Sequence, residues 1–190
     1  YSGEIEHPSN EKIVFAYIGH LDKNRTIIEL ANGLKDSKFK NMFKVKIIGH
    51  LPQDQVDYII KNDLMEIFEV QGSLSWHESL REMQKCDFLL SMDPNYLNMD
   101  YSQQMGSKIA DYLGSMKPIL FLSYDKGISA DIAKSTGNKI IRNNAQEIAK
   151  FLDRVAVFGL WKPKFEKYQQ FNSRNISRTF DSEISKRLRK

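Results

Sequence analysis

At 190 residues, 41% hydrophobic and 27% charged, the chain has the size and composition of one globular domain with a sizeable core. No stretch approaches the ~18 consecutive apolar residues of a membrane span, and a single cysteine, Cys86, excludes an internal disulfide and fits a reducing compartment. The formal net charge of +4 is mildly basic, with much of the excess in the C-terminal SKRLRK; without interleaved aromatics this run is no nucleic-acid motif.

The first eleven residues are polar and read as a lead-in without the apolar core of a signal peptide. The chain starts at Tyr1 rather than Met, so a fragment of a longer protein or a processed chain is expected. KIVFAYIGH, from Lys12, is an apolar run of strand length ending in Gly19 and His20. Residues 25–35 then show helical spacing, with Ile27, Ile28, Ala31 and Leu34 on one face and Arg25 in the first turn. A strand at 43–48 ends in Gly49, and a helix at 53–61 turns Val56, Ile59 and Ile60 inward. A third strand at 66–70 closes on Gln71 and Gly72. Ser75 and Glu78 form a capping box that starts a helix with Trp76, Leu80 and Met83 on one face. Cys86 reads as a small buried hydrophobe beside the fourth strand, DFLLSM from Asp87.

The polar loop DPNYLNMDYSQQMG follows, long enough to suggest function. A helix at 107–113 places Lys108, Asp111 and Tyr112 on one side and Ile109, Ala110 and Leu113 on the other. A strand at 118–123, a helix at 128–134, a short strand at 138–141 and a helix at 145–151 complete the alternation. The remaining residues from Trp161 on read as a polar helical tail anchored by Phe165, Tyr168, Phe171, Ile176 and Phe180. Six strands alternating with helices imply an α/β fold. It is a Rossmann-like, doubly wound, mostly parallel six-stranded sheet with helices on both faces. The expected division is lead-in 1–11, Rossmann-like domain 12–156 and C-terminal helical tail 157–190, packed on the domain or on a further half.

Ligands of such sheets bind outside the carboxyl ends of the strands, so the loops there hold the candidates. The chain has no P-loop, no G-x-G-x-x-G and no G-x-S-x-G elbow, which excludes the common nucleotidase, dinucleotide and hydrolase readings. His20, His50 and His77 lie near these loops without metal-ligand spacing, and read as satisfied or exposed histidines rather than zinc ligands. A phosphate-type site survives. Gly19 permits close backbone approach, Arg25 suits a diphosphate, and Met105, Gly106 and Ser107 offer N–H groups at a helix start beside Lys108. Spacing does not separate Arg25 as ligand from Arg25 as solvated helix residue. The Lys108–Asp111 spacing alone favours an ordinary surface ion pair.

The succession YIG–x5–R, IIG, an x-G-S loop before a capped helix, CDFLLS and SKIADYLGSMKPIL resembles the C-terminal, donor-binding domain of GT-B glycosyltransferases, most nearly the retaining family 4 and its group-1 neighbours. The resemblance runs from Lys12 to Ile141 and more loosely into FNSRNISRTF. It implies a transferase moving a sugar from a nucleotide diphosphate sugar to an acceptor, with retention, in glycan or cell-surface polysaccharide biosynthesis. Arg25 and Lys108 would stabilise the leaving diphosphate, with Gly19, Met105, Gly106 and Ser107 beside it. Gly72, Ser73 and Leu74 would face the base, and Asp111 the ribose, in the place of the second glutamate of the family's E-x7-E motif. Gln103 stands where the first glutamate is usual and would lie near the sugar. No cofactor and no metal are expected. The acceptor, a sugar or lipid-linked glycan, would bind through an N-terminal half outside this chain, which is not expected to turn over alone. A cytoplasmic location with peripheral contact at the inner membrane face is expected, and no nucleic acid. The alternatives are a nucleotide-sugar epimerase of the same architecture and a degenerate, non-catalytic nucleotide- or partner-binding module.

Overall fold

A computed structural model describes residues 12–95, 100–103 and 105–178, and among these six strands form one all-parallel sheet. The strands are β1 (Ile13–Ile18), β2 (Phe43–Ile48), β3 (Phe68–Gln71), β4 (Phe88–Met92), β5 (Ile119–Leu122) and β6 (Lys139–Ile141). They lie in the order β3-β2-β1-β4-β5-β6, with Ile13 opposite Phe43, Phe15 opposite Phe88 and Leu89 opposite Ile119. The helices are α1 (Ile28–Asp36), α2 (Gln53–Lys61), α3 (Trp76–Gln84), α4 (Ile109–Gly114), α5 (Ile128–Thr136) and α6 (Ala145–Phe158).

The near-continuous apolar strands are explained by burial on both faces. Alternate residues divide between two cores, because successive side chains of a strand point to opposite faces. Phe15, Val45, Ile47, Phe88 and Leu90 pack with Leu30 and Leu34 of α1, Ile59 of α2 and Ile148 and Leu152 of α6. Ala16, Leu89, Ile119 and Phe121 pack with Met83 of α3, Ile109 and Leu113 of α4 and Ile132 of α5. Gly33 lets α1 and α6 meet closely: a Cβ there would stand 2.5 Å from Ile148 Cγ2. Glu29 of α1 also accepts the Ala145 N–H at 2.8 Å, satisfying a free donor at the start of α6. The Ser75–Glu78 capping box forms in full at the start of α3. Cys86 is buried, its thiol donating to Glu82 O at 3.2 Å, and burial pushes its pKa up to about 11.

Expectations for each of the first four helices are corrected. Helix α1 begins at Ile28, three residues past Arg25. Asp22 Oδ1 accepts the Asn24 and Arg25 N–H groups at 2.7 and 2.9 Å, a local turn that holds Arg25 in the loop. On α2, Ile60 is 52% exposed and Gln55 is buried instead. The Gln55 amide accepts from Ile27 N at 2.9 Å and donates to Asp22 O at 3.2 Å, which is why a polar residue can turn inward. On α3, Trp76 at the first residue is exposed while Met83 is buried, the indole N–H donating to Asp111 of α4 rather than entering the core. On α4, Tyr112 is buried with Ile109 and Leu113, and Ala110 is exposed. The Tyr112 ring completes the helix stripe and its hydroxyl finds partners on β1.

Helix α6 runs seven residues beyond the expected 151, to Phe158. The chain after it packs back on the domain. Trp161 lies against Phe88 and Phe151 at ring-centroid distances of 5.4 and 5.6 Å. A 3-10 helix, Phe165–Phe171, seats Tyr168 on the second core, with its hydroxyl bonded to Lys117 O and Asn138 Oδ1. Ile176 is exposed rather than an anchor. The lead-in, Phe180, SKRLRK and positions 96–99 of the long loop lie outside the described residues.

Candidate functional site

The order β3-β2-β1-β4-β5-β6 reverses direction between β1 and β4. Chain leaving β1 turns towards α1 on one face, and chain leaving β4 turns towards α4 on the other, so a crevice opens between their carboxyl ends. A pocket of about 160 Å³ occupies it, with Gly19, His20 and Arg25 on one lip and Gly106, Ser107 and Lys108 on the other.

The β1 lip is built from backbone. Gly19 N donates to Ile48 O at 2.9 Å and Leu21 N to His50 O at 3.0 Å, so the pairing of β1 with β2 continues beyond both strands. Gly49, at φ +129°, packs directly on the Gly19 carbonyl, and any Cβ there would collide with it. Arg25 Nε donates to Met92 O at 2.9 Å, and Asn95 N donates to Asn24 O at 2.7 Å, stapling this loop to the end of β4. The Arg25 charge also stands beside Tyr17. Burial raises the phenol's pKa against the lowering pull of that cation, while its hydroxyl donates to His20 O at 3.0 Å. Partial burial works against a charged Asp22, but the Asn24 and Arg25 N–H donors outweigh it and hold the carboxyl below its ordinary range.

The opposite lip hangs on a phenol. Tyr112 Oη accepts from Ile18 N at 2.9 Å and donates to Ile18 O at 3.3 Å, tying α4 to the residue before Gly19. Burial pushes the Tyr112 pKa well up, so it stays a neutral donor and acceptor. Lys108 is the N-cap residue of α4 and its Nζ lies 3.3 Å from Asp111 Oδ2. Asp111 Oδ1 accepts from Trp76 Nε1, also at 3.3 Å.

Of the residues singled out in the sequence, Gly19, Arg25, Gly106, Ser107 and Lys108 therefore meet in one crevice. Asp111 stands next to it, in a groove between α3 and α4 with Trp76 and Leu80. Gly72, Ser73, Leu74, Gln103 and Met105 are not among its lining residues. Gly72 and Ser73 are exposed, Leu74 packs on the second core, Met105 is 49% exposed, and the Gln103 amide donates to Tyr101 Oη at 2.9 Å. The loop before Lys108 is anchored elsewhere: Ser102 bridges to Gly127, and Ile128 N donates to Ser102 O at 3.2 Å. Tyr17, His20 and Ser91 join the pocket lining without having been singled out for this site, and of these only His20, next to the loop glycine, carried a readable signal; Tyr112, expected on the side of Lys108 and Asp111, lines it as well. Among the described residues no three His, Cys, Asp or Glu side chains gather as a metal site, and no helix is long and apolar enough to cross a membrane.

No protein-family model and no curated protein matches the sequence. Solved structures do match. Anabaena HepE, crystallised with UDP, superposes on 93% of this chain and 49% of its own with a TM-score of 0.70 at 14% identity. The pneumococcal O-GlcNAc transferase GtfA, in complex with UDP and GlcNAc, covers 96% of this chain and 37% of its own, with a TM-score of 0.70 at 12% identity. The chain has the fold of one half of these GT-B structures. The catalytic domain of the Helicobacter pylori cholesterol-alpha-glucosyltransferase matches 87% of this chain and 96% of its own, with a TM-score of 0.58 at 14% identity. The chain spans about half the length of HepE. At such identities the GT-B likeness is one of fold, and the chemistry has to be argued from the crevice.

Proposed function

We propose that this chain is the donor-binding half of a glycosyltransferase that moves a sugar from a nucleotide diphosphate sugar to an acceptor. The observation that carries the reading is the placement of Arg25 and Lys108 on opposite lips of one crevice at the switch point of the sheet. Departure of the nucleotide leaves negative charge on the diphosphate, and two cations already held in place stabilise it as it develops. Arg25 has one donor committed to Met92 O, which aims the guanidinium without neutralising it. Ser107 and Gly19, which line the crevice, would meet a phosphate oxygen, and Asp111, beside Lys108, would accept from a ribose diol. Gly72, Ser73 and Leu74 would lie towards the base, and Met105 and Gln103 towards the sugar, from the rim. No metal or other cofactor enters this reading.

The acceptor, a sugar or lipid-linked glycan, would be held by a further, N-terminal half, so turnover belongs to the two halves together. That half bears on the finer reading as well: transfer with retention by a front-face route, in glycan or cell-surface polysaccharide biosynthesis, in the cytoplasm and at the inner face of the membrane. The matching structures crystallised with UDP support a nucleotide diphosphate as ligand. Calorimetry with UDP, GDP and ADP tests it. One of them should bind, and Lys108→Ala and Arg25→Ala should each weaken it about ten- to hundredfold, the loss of a charge-assisted hydrogen bond worth roughly 1.5–3 kcal/mol. Absence of binding to all three at millimolar ligand would overturn the reading. A second reading, a non-catalytic nucleotide- or partner-binding module, rests on Gln103, an uncharged side chain turned to Tyr101. An unchanged rate for Gln103→Glu in a protein containing both halves would favour it.

A further inference from the structure

The β1 lip carries two imidazoles that the proposed transfer leaves without a role. His20 follows Gly19 and lines the pocket with Arg25 and Lys108. His50 follows Gly49 in the loop after β2. The two rings stack with centroids 4.5 Å apart and 23° between their planes. Their backbones are pinned by the Leu21 N to His50 O bond at 3.0 Å, by the Gly19–Gly49 contact and by the Tyr17 hydroxyl on His20 O. Only side-chain rotation remains, and the stack restrains that.

We propose that His20 is a proton-linked contact for the bound anion, joining Arg25 and Lys108 as an imidazolium when a diphosphate occupies the crevice, with the His50 ring holding it in position. The inference rests on the reading of this crevice as a diphosphate site. The charged groups around the crevice are Arg25, from the same loop, and Lys108, from the start of α4. Asp22 on the same loop has its carboxylate shared with the Asn24 and Arg25 N–H groups, and Asp111 pairs with Lys108. The Tyr17 phenol is neutral across the relevant range, raised by burial. A diphosphate diester brings two negative charges between these groups and tips the balance towards the imidazolium. One proton is expected rather than two, since charging both stacked rings would place like charges face to face. A ligand that prefers the protonated form takes up a proton as it binds. Its affinity therefore rises as pH falls through the imidazole range near ~6.5 and levels off below it.

The test is calorimetry of the full chain with UDP-glucose, GDP-mannose and ADP-glucose between pH 5.5 and 8.5, in buffers of different ionisation enthalpy. These diesters keep two fixed charges throughout, whereas the terminal phosphate of a free nucleotide itself titrates near ~6. The dissociation constant should be about fivefold lower at pH 5.5 than at pH 8.5, with uptake of roughly a third of a proton near pH 6.5. His20→Gln should abolish both. His50→Ala should shrink the pH ratio and His50→Phe, which retains a ring face, should restore it. His77→Gln should leave the ratio unchanged, since His77 sits against Trp76 on α3 and not in the crevice. Binding with a flat pH profile, or a ratio that survives His20→Gln, overturns the inference and leaves the donor site standing. Failure of every nucleotide sugar to bind at any pH overturns the donor site and the inference together.

Discussion

The two lips of the crevice are held by different means. On the β1 side, the loop bearing His20 and Arg25 is locked by main-chain bonds to the β2 loop and to the end of β4. On the α4 side, Lys108 and Asp111 are partly exposed, at 36% and 25%, and the helix beneath them spans only six residues. The link from α4 to the β1 end is the Tyr112 hydroxyl on Ile18. One lip is therefore preorganised by backbone, which cannot relax without breaking the sheet. The other can adjust to what enters, at the cost of having its position set by a few side chains. A binding site gains affinity from the first arrangement and tolerance from the second.

The rigid lip is broken most severely at Gly49. Gly49→Ala forces a Cβ into the Gly19 carbonyl at a positive φ, and should destabilise by about 2–4 kcal/mol in urea denaturation, with nucleotide affinity lost in the same variant. The adjustable lip is tested by Tyr112→Phe. It keeps the ring in the core and removes only the hydroxyl, so stability should fall by about 1–2 kcal/mol while Lys108 loses its register with Gly19 and nucleotide binding weakens. An equal loss of stability with affinity intact would show that α4 is positioned by packing alone.

A smaller effect separates the lips by pH. The Asp22 carboxyl is held below the ordinary aspartate value of 3.8, so its contribution is complete above that pH and is lost as pH falls through the lower folded-state value. Asp22→Asn should remove that part of the acid sensitivity, seen as a flatter dependence of the melting temperature on pH below 4. Smallest of all, Asp111→Asn should change stability by only about 0.2–0.5 kcal/mol, because its pairing with Lys108 is exposed to solvent and screened.

The same contrast explains which parts of the site could be read in the chain. Strand β2 and helix α2 have the bounds expected from their apolar spacing, and the capping box at Ser75 and Glu78 forms as its pattern implies. These are local features, set by periodicities of two and 3.6 and by one short-range hydrogen-bond exchange. Arg25 illustrates the limit. The spacing of Ile27, Ile28 and Ala31 extends the helix back to it, but the competing Asp22 turn stops the helix at Ile28. Tyr112 illustrates a second limit: a phenol suits either face of an amphipathic helix, and its place follows from a partner 94 residues away.

By itself, then, the sequence determined the alternation of strands and helices, the parallel sheet they imply and the loops at its carboxyl ends, because buried parallel strands and amphipathic helices are written in local apolar periodicity. It also marked the Gly19–Arg25 and Ser107–Asp111 stretches as candidates. Only the tertiary structure decided that Arg25 and Lys108 face one crevice, that Gly72, Ser73, Leu74 and Gln103 stay off its lining, and that His20 stacks on His50. Those outcomes depend on the strand order and on contacts between residues far apart in the chain, and no local pattern encodes either.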